Sequence, residues 1–118
     1  MQSLSKHQSL DQVYFNEPDL QLHYLQEEGS SLRLFVVDTL SASNDIVVEH
    51  CGPGCFTQIY HLTFLENTDR VSTHTHIKHN VGGGTSRQLL KYVLSDRAQG
   101  DFFGELYIAP DAQQTDAQ

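Results

Sequence analysis

"VSTHTHIKHNVGGGTSRQLLKY", residues 71–92, sets three histidines within six positions (His74, His76 and His79) ahead of three consecutive glycines. Two readings compete for it: a metal site with a phosphate-binding loop behind it, or one strand and one turn of a repetitive β structure. On a strand, Val71, Thr73, Thr75 and Ile77 point to one face and Ser72, His74, His76 and Lys78 to the other, because successive side chains alternate across the pleat. His79 then faces away from His74 and His76. Those two are the candidate metal ligands, and a third donor has to come from a neighbouring strand or turn, with His50, His61, Cys51 and Cys55 available. The plainer alternative is Thr and His on the solvated face of a sheet. Gly82, Gly83 and Gly84 fit neither phosphate-loop spacing, so a turn needing positive φ accounts for them.

Working outward, "LRLFVVDTL", "DIVVEHC", "FTQIYHLTFLE", "RQLLKYVLSD" and "DFFGELYIAP" are further short runs rich in β-branched and aromatic residues. They alternate with "SASN", "CGPGC", "NTDR", "GGGTS" and "RAQG", which supply the residues that turns demand. No helical period of useful length appears, and residues 87–94 read as a strand because Tyr92 and Val93 favour pleated surfaces. Residues 1–31 are polar and weakly patterned; they are expected to form a partly ordered lead-in with one short strand at 20–25, followed by the repetitive body over 32–118.

Composition narrows the function classes. A chain of 118 residues suits one domain, and an apolar fraction of 38% with no Trp points to a narrow interior. With 15 acidic against 7 scattered basic residues, net charge −8, there is no stripe to neutralise a phosphate backbone, so nucleic acid is not an expected partner. The longest apolar run, residues 34–37, is far below the about 20 residues that span a bilayer, so no membrane is expected and a cytoplasmic location is. Two cysteines, Cys51 and Cys55, make no disulfide framework and are read as reduced thiols. No nucleophile elbow or paired-carboxylate arrangement stands out, so no catalytic residue is assigned.

The C-terminal portion resembles the SufD side of the SufB/SufD family, scaffold components of SUF iron–sulfur cluster assembly. The resemblance rests on "THTHIKHNVGGGTSRQLLKYVLSDRAQGDFFGELYIAPDAQQTDAQ": His79, the pair Thr85 and Ser86, the Asp-x-Ala-x-Gly turn, Gly104, and Ala112, Gln113, Thr115 and Asp116. It implies an all-β fold, a right-handed parallel β-helix whose coils stack. It also implies SufB-like and SufC-like partners and an iron–sulfur cluster carried by the full assembly complex, with no cofactor held by this chain. The chain is expected to be a fragment that stops within the family motif, with an open last coil able to self-associate through its strand edges. No ligating or catalytic role passes to His74, His76 or His79 through the resemblance.

Two alternatives come from other classes. One is a small cupin-like β-barrel enzyme holding iron or zinc with His74, His76 and a third ligand, although no Glu follows the pair where such a site wants one. The other is a metal-free β-rich interaction module.

Overall fold

The computed structural model describes residues 1–110 together with residues 116 and 117. Ten strands run in chain order: β1 Gln2–Leu4, β2 Ser9–Phe15, β3 Asp19–Gln26, β4 Ser31–Asp38, β5 Ala42–His50, β6 Phe56–Leu65, β7 Arg70–His79, β8 Thr85–Leu94, β9 Gln99–Ile108 and β10 Asp116–Ala117. Odd-numbered strands form one sheet, in the order β1-β3-β5-β7-β9, and even-numbered strands the other, β10-β8-β6-β4-β2. Every pairing between the described strands is parallel. The chain therefore winds from one sheet to the other and back, laying each coil on the one before. This is a parallel β-helix, as the strand runs and the resemblance led one to expect.

Coil length grows along the stack. Gln2 pairs with Tyr24, 22 positions on, whereas Ala42 pairs with Val71 and Phe56 with Thr85, 29 positions on. The slab measures 45 × 24 × 18 Å. Its longest dimension suits ten-residue strands of roughly 33 Å with their turns, and its second suits five strands about 4.8 Å apart.

Two further points of the sequence reading bear on this fold. The cupin-like barrel is excluded, since an up-and-down or jelly-roll wall is built of antiparallel strands and these pairings are all parallel. The polar segment 1–31 is no separate lead-in: it forms β1, β2 and β3, continuous with the coils above, and Leu4, Leu20 and Tyr24 lie in the core. Polarity misleads there because Ser9, Asp11, Asp19 and Gln21 fall on outward positions of β2 and β3, while Leu10, Tyr14, Leu20, Leu22 and Tyr24 turn toward the core. The motif residues Ala112, Gln113 and Thr115 lie outside the described residues.

Inward side chains stack in columns set by the register. Leu22 lies beside Ile46, and Tyr24 beside Val48 and Val48 beside Ile77, while Leu32, Leu34, Val36 and Ile59 fill the interior from the other sheet. The columns turn polar up the stack: Leu32 gives way to Thr57 and then Ser86, and Leu20 to Asn44 and Thr73. Among the described residues 12 buried polar side chains stand beside 13 apolar ones, which explains the low apolar fraction better than a narrow interior does. Corners are held by left-handed residues. Asn67 (φ 60°) and Asp96 (φ 59°) occupy equivalent turns one coil apart, and the Asn67 amide N–H donates to Asp96 Oδ2 at 3.1 Å. Asn and Asp tolerate that conformation because their short polar side chains bond locally.

Alternation makes neighbours on one strand unequal. Ile46→Ala, which empties a fully buried site, is expected to cost about 2–5 kcal/mol in urea unfolding, and Asp45→Ala next to it on the outer face to stay within about 0.5 kcal/mol. Equal effects at the two positions would contradict the observed facing.

Candidate functional site

Histidine is the residue type that could carry chemistry here, and the pleat sorts it into two groups. His74 and His76 project from the outer face of β7, while His79, with His50 of β5 and His61 of β6, projects inward and is buried. The facing read from alternation on β7 is the one observed. It also removes His50 and His61 as third donors to a site at His74 and His76, because the sheet stands between them.

On the outer face, His74 lies between Asp45 and Phe103 in the ladder, its ring centroid 5.5 Å from that of Phe103. His76 lies between Val47 and Glu105, with Nδ1 3.7 Å from Glu105 Oε2. Beside them His23 Nε2 meets Glu49 Oε2 at 2.6 Å and Asn80 Nδ2 donates to Glu49 Oε1 at 3.2 Å, contacts that hold the Glu49 carboxyl below its usual range, the His23 bond foremost. Among the described residues no group of three or more His, Cys, Asp or Glu side chains is placed to hold a metal ion.

The inner group forms a seam along one corner of the coils. His50 Nε2 is 2.7 Å from Thr57 Oγ1, and the Thr57 hydroxyl donates to Gln26 Oε1. The Thr57 proton being spent on Gln26, the bond from His50 must run from Nε2–H to the hydroxyl, which fixes the tautomer and leaves Nδ1 a bare lone pair. Gln26 completes the chain by donating from Nε2 to the Phe56 carbonyl at 3.0 Å and to the Ser30 carbonyl at 3.2 Å. One coil higher the pattern recurs: His79 Nε2 is 2.8 Å from Ser86 Oγ, and the rings of His50 and His79 meet edge to face with centroids 4.4 Å apart. Across the interior, His61 Nε2–H donates to Gln88 Oε1 at 3.3 Å, with the Phe102 ring 5.4 Å away. All three histidines engage through Nε2, and their Nδ1 atoms have no protein partner among the described residues.

That geometry keeps the imidazoles neutral. Burial lowers His50 from its ordinary 6.5 to about 4, assisted by His79, and burial likewise lowers His61 to about 4 and pulls His79 down. A proton added at Nδ1 would find no acceptor and no water-like dielectric. In the same interior Asp38 accepts from Asn44 Nδ2 at 2.9 Å, and burial raises its carboxyl above the usual range.

The turns that carry the two cysteines and the three glycines are stacked corners of this seam. Gly84 packs so close to His50 that a Cβ there would stand 2.5 Å from Nδ1 and 3.2 Å from the Cys55 carbonyl oxygen. Gly83 has φ +81° and Gly54 φ +70°. The glycines thus serve one positive-φ turn and one close approach, as the turn reading required. Cys55 is buried, with Sγ 3.2 Å from the carbonyl oxygens of Glu27 and Gly52, and Cys51 is exposed beside an open cleft lined by Lys6, Glu27, Glu28, Gly52 and Pro53. Burial raises both thiols above their ordinary value, and the Glu49 charge adds to the effect at Cys51.

One signal went unread in the sequence. His50 to Thr57 and His79 to Ser86 are both His-x₆-hydroxyl spacings across a Gly-rich corner, offset by 29 positions, the coil length observed there. The repeat marks the seam without any structure.

The fold class is thus a parallel β-helix with a neutral, hydrogen-bonded histidine seam along one corner. Residues 13–118 match the family model described as SUF system FeS cluster assembly, SufBD core domain. The chain belongs to this SufBD core family and so to the SUF system of iron–sulfur cluster assembly. No curated protein and no solved structure matches it significantly. Among the described residues no helix is long and apolar enough to cross a membrane.

The seam sets a pH dependence. The folded state refuses protons that the unfolded histidines take up below about 6.5, so stability is full above that pH and falls as the pH drops toward 4, by up to about 1.4 kcal/mol per pH unit for each histidine. Urea midpoints between pH 7 and 4.5 should fall for the native chain and fall less for a His50→Gln, His61→Asn double variant. Parallel curves for the two proteins would refute the neutral seam.

Proposed function

We propose that this chain is a SufD-type, non-catalytic platform that works in the cytoplasm beside SufB-like and SufC-like subunits. What carries the reading is the use of the inner histidines: His50, His61 and His79 are each engaged with a hydroxyl or amide of the chain itself, so they hold coils together and are not presented to a substrate. The family supports the process, and the resemblance of residues 71–118 to the SufD side is what favours that subtype in this reading. On this reading the cluster is cargo of the assembled complex. Among the described residues no group of three or more His, Cys, Asp or Glu side chains converges on one point, which supports a cluster held by the assembled complex.

Leu90 and Leu94 of β8 and Leu106 and Ile108 of β9 point inward yet are exposed among the described residues. A partner that continues the coil would cover them, and their strand edges give it backbone groups to pair with.

Anaerobic co-purification with tagged SufB-like and SufC-like subunits tests this proposal. The expected result is co-elution with the SufB-like subunit, iron in the complex, and only substoichiometric iron on the chain alone. Stoichiometric iron on the isolated chain that disappears in a His74→Ala, His76→Ala variant would overturn the platform reading in favour of a metal site on the outer face.

A further inference from the structure

Cys51 and Cys55 are nucleophilic side chains that the platform leaves without a task, and the corner between β5 and β6 holds them together. Gly52, Pro53 and Gly54 separate them. Pro53 followed by Gly54 at φ +70° has the residue order and backbone of a type II turn, which brings its ends, Gly52 and Cys55, within about 7 Å. Neither glycine can be exchanged freely. A Cβ on Gly52 would stand 2.6 Å from the Glu28 backbone nitrogen of the coil below, and Gly54 sits in the left-handed region. That lower coil also grips the turn, since the Gly29 N–H donates to the Pro53 carbonyl at 2.9 Å.

The same coil positions the thiols. The Gln26 carbonyl oxygen accepts from the Cys51 amide N–H at 2.8 Å and lies 3.5 Å from Cys55 Sγ. One oxygen thus touches the backbone of the first cysteine and the sulfur of the second. Cys55 Sγ is also held by the Glu27 and Gly52 carbonyls, both at 3.2 Å, so its place is set. Cys51 Sγ meets the Glu49 carbonyl at 3.9 Å, at the limit for a sulfur donor, and can rotate about its Cα–Cβ bond toward Cys55. After burial and the Glu49 charge, Cys55 is itself among the groups that oppose ionisation of Cys51, as a near neighbour does.

We propose that Cys51 and Cys55 are a dithiol–disulfide pair, closed across the Gly-Pro-Gly corner by exchange with a low-molecular-weight peptide disulfide. Cys51 is the exposed member. It opens on a cleft of about 390 Å³ where the Lys6 ammonium can take a carboxylate of the small disulfide, and Glu27 or Glu28 its ammonium. Cys51 loses its proton to solvent and attacks one sulfur; the small S–S bond breaks, and one small thiolate leaves and is protonated. Cys55 then attacks Cys51 Sγ, the mixed disulfide breaks, and the proton of Cys55 goes to the second small thiol. Two cysteine thiols are oxidised to one disulfide, and the small disulfide is reduced to two thiols. Cys55, with 1% of its surface exposed, reacts with its neighbour and not with reagents in solution. The new bond ties the end of β5 to the start of β6 beside the His50–Thr57 hydrogen bond, and so locks the corner at which the seam closes.

Equilibration of the chain with glutathione and its disulfide tests the pairing, with acid quenching, alkylation of the remaining thiols and intact-mass spectrometry as the readout. Circular dichroism confirms that each variant is folded. The expected product is an intramolecular disulfide without bound glutathione. Its equilibrium constant should be larger by at least about tenfold in the folded chain than in the chain unfolded in urea, because the corner holds the pair in place. By linkage the oxidised chain then resists urea more than the reduced one. Cys55→Ser should accumulate the mixed disulfide on Cys51, and Cys51→Ala should stay unmodified while folded. A native chain that does not react, that stops at the mixed disulfide, that pairs between copies, or whose bond forms no more readily folded than in urea overturns the proposal. So does modification of Cys55 in the folded Cys51→Ala variant.

Discussion

Everything in this molecule depends on parallel, in-register stacking of its coils. Parallel strands joined through a second sheet can continue only if each side chain lies beside the residue one coil away, within about 4.8 Å. An inward polar group therefore always has the next coil's group beside it, and an outward apolar group always extends a patch. The seam of Gln26, His50 and His79 is the first consequence, because once Leu4 gives way to Gln26 in that column the residues of the next two coils stand beside a polar neighbour. An apolar outer face on the even-numbered sheet, where Val13, Phe35, Tyr60 and Leu89 share one row, is the second.

Buried polar groups are tolerated only when satisfied, and the seam meets the condition with hydroxyls spaced six residues beyond each histidine across the corner. Neutral imidazole suits the position: it donates once through Nε2, stacks on the ring of the next coil, and carries no charge into the interior. Lys or Arg in the column would bring a charge without a counter-ion, and Leu would strand the hydroxyl of Ser86 and take from Thr57 the donor it accepts from. The seam also explains why Gly84 is glycine, since any side chain would displace the His50 ring.

Much of the fold was legible in the sequence, because alternation and turn residues are local signals. Each run from residue 32 onward became a strand, and the facing of β7 followed from its period alone. The first coil was less legible: in "SLDQVYF" Leu10, Gln12 and Tyr14 turn inward while Val13 and Phe15 face out, so its apolar residues do not alternate cleanly. The role of the inner histidines was not legible either, since one strand cannot say what lies across the corner, although the 29-position repeat of His-x₆-hydroxyl held the information. The apolar outer face escaped because runs such as "LRLFVV" read as core throughout, and only the register separates inward Leu34 and Val36 from outward Phe35 and Val37.

The register is therefore the quantity to measure. Isotope-edited proton–proton NOE spectroscopy on the labelled chain reports it through backbone contacts between β5 and β7. Parallel stacking as described gives cross-strand contacts linking Asp45 with His74, Val47 with His76 and Glu49 with Lys78. Contacts displaced by one residue, linking Val47 with Thr75 or Ile77 as partners, would turn His76 inward and His79 outward, and would contradict the seam, the outer face and the fold built on them.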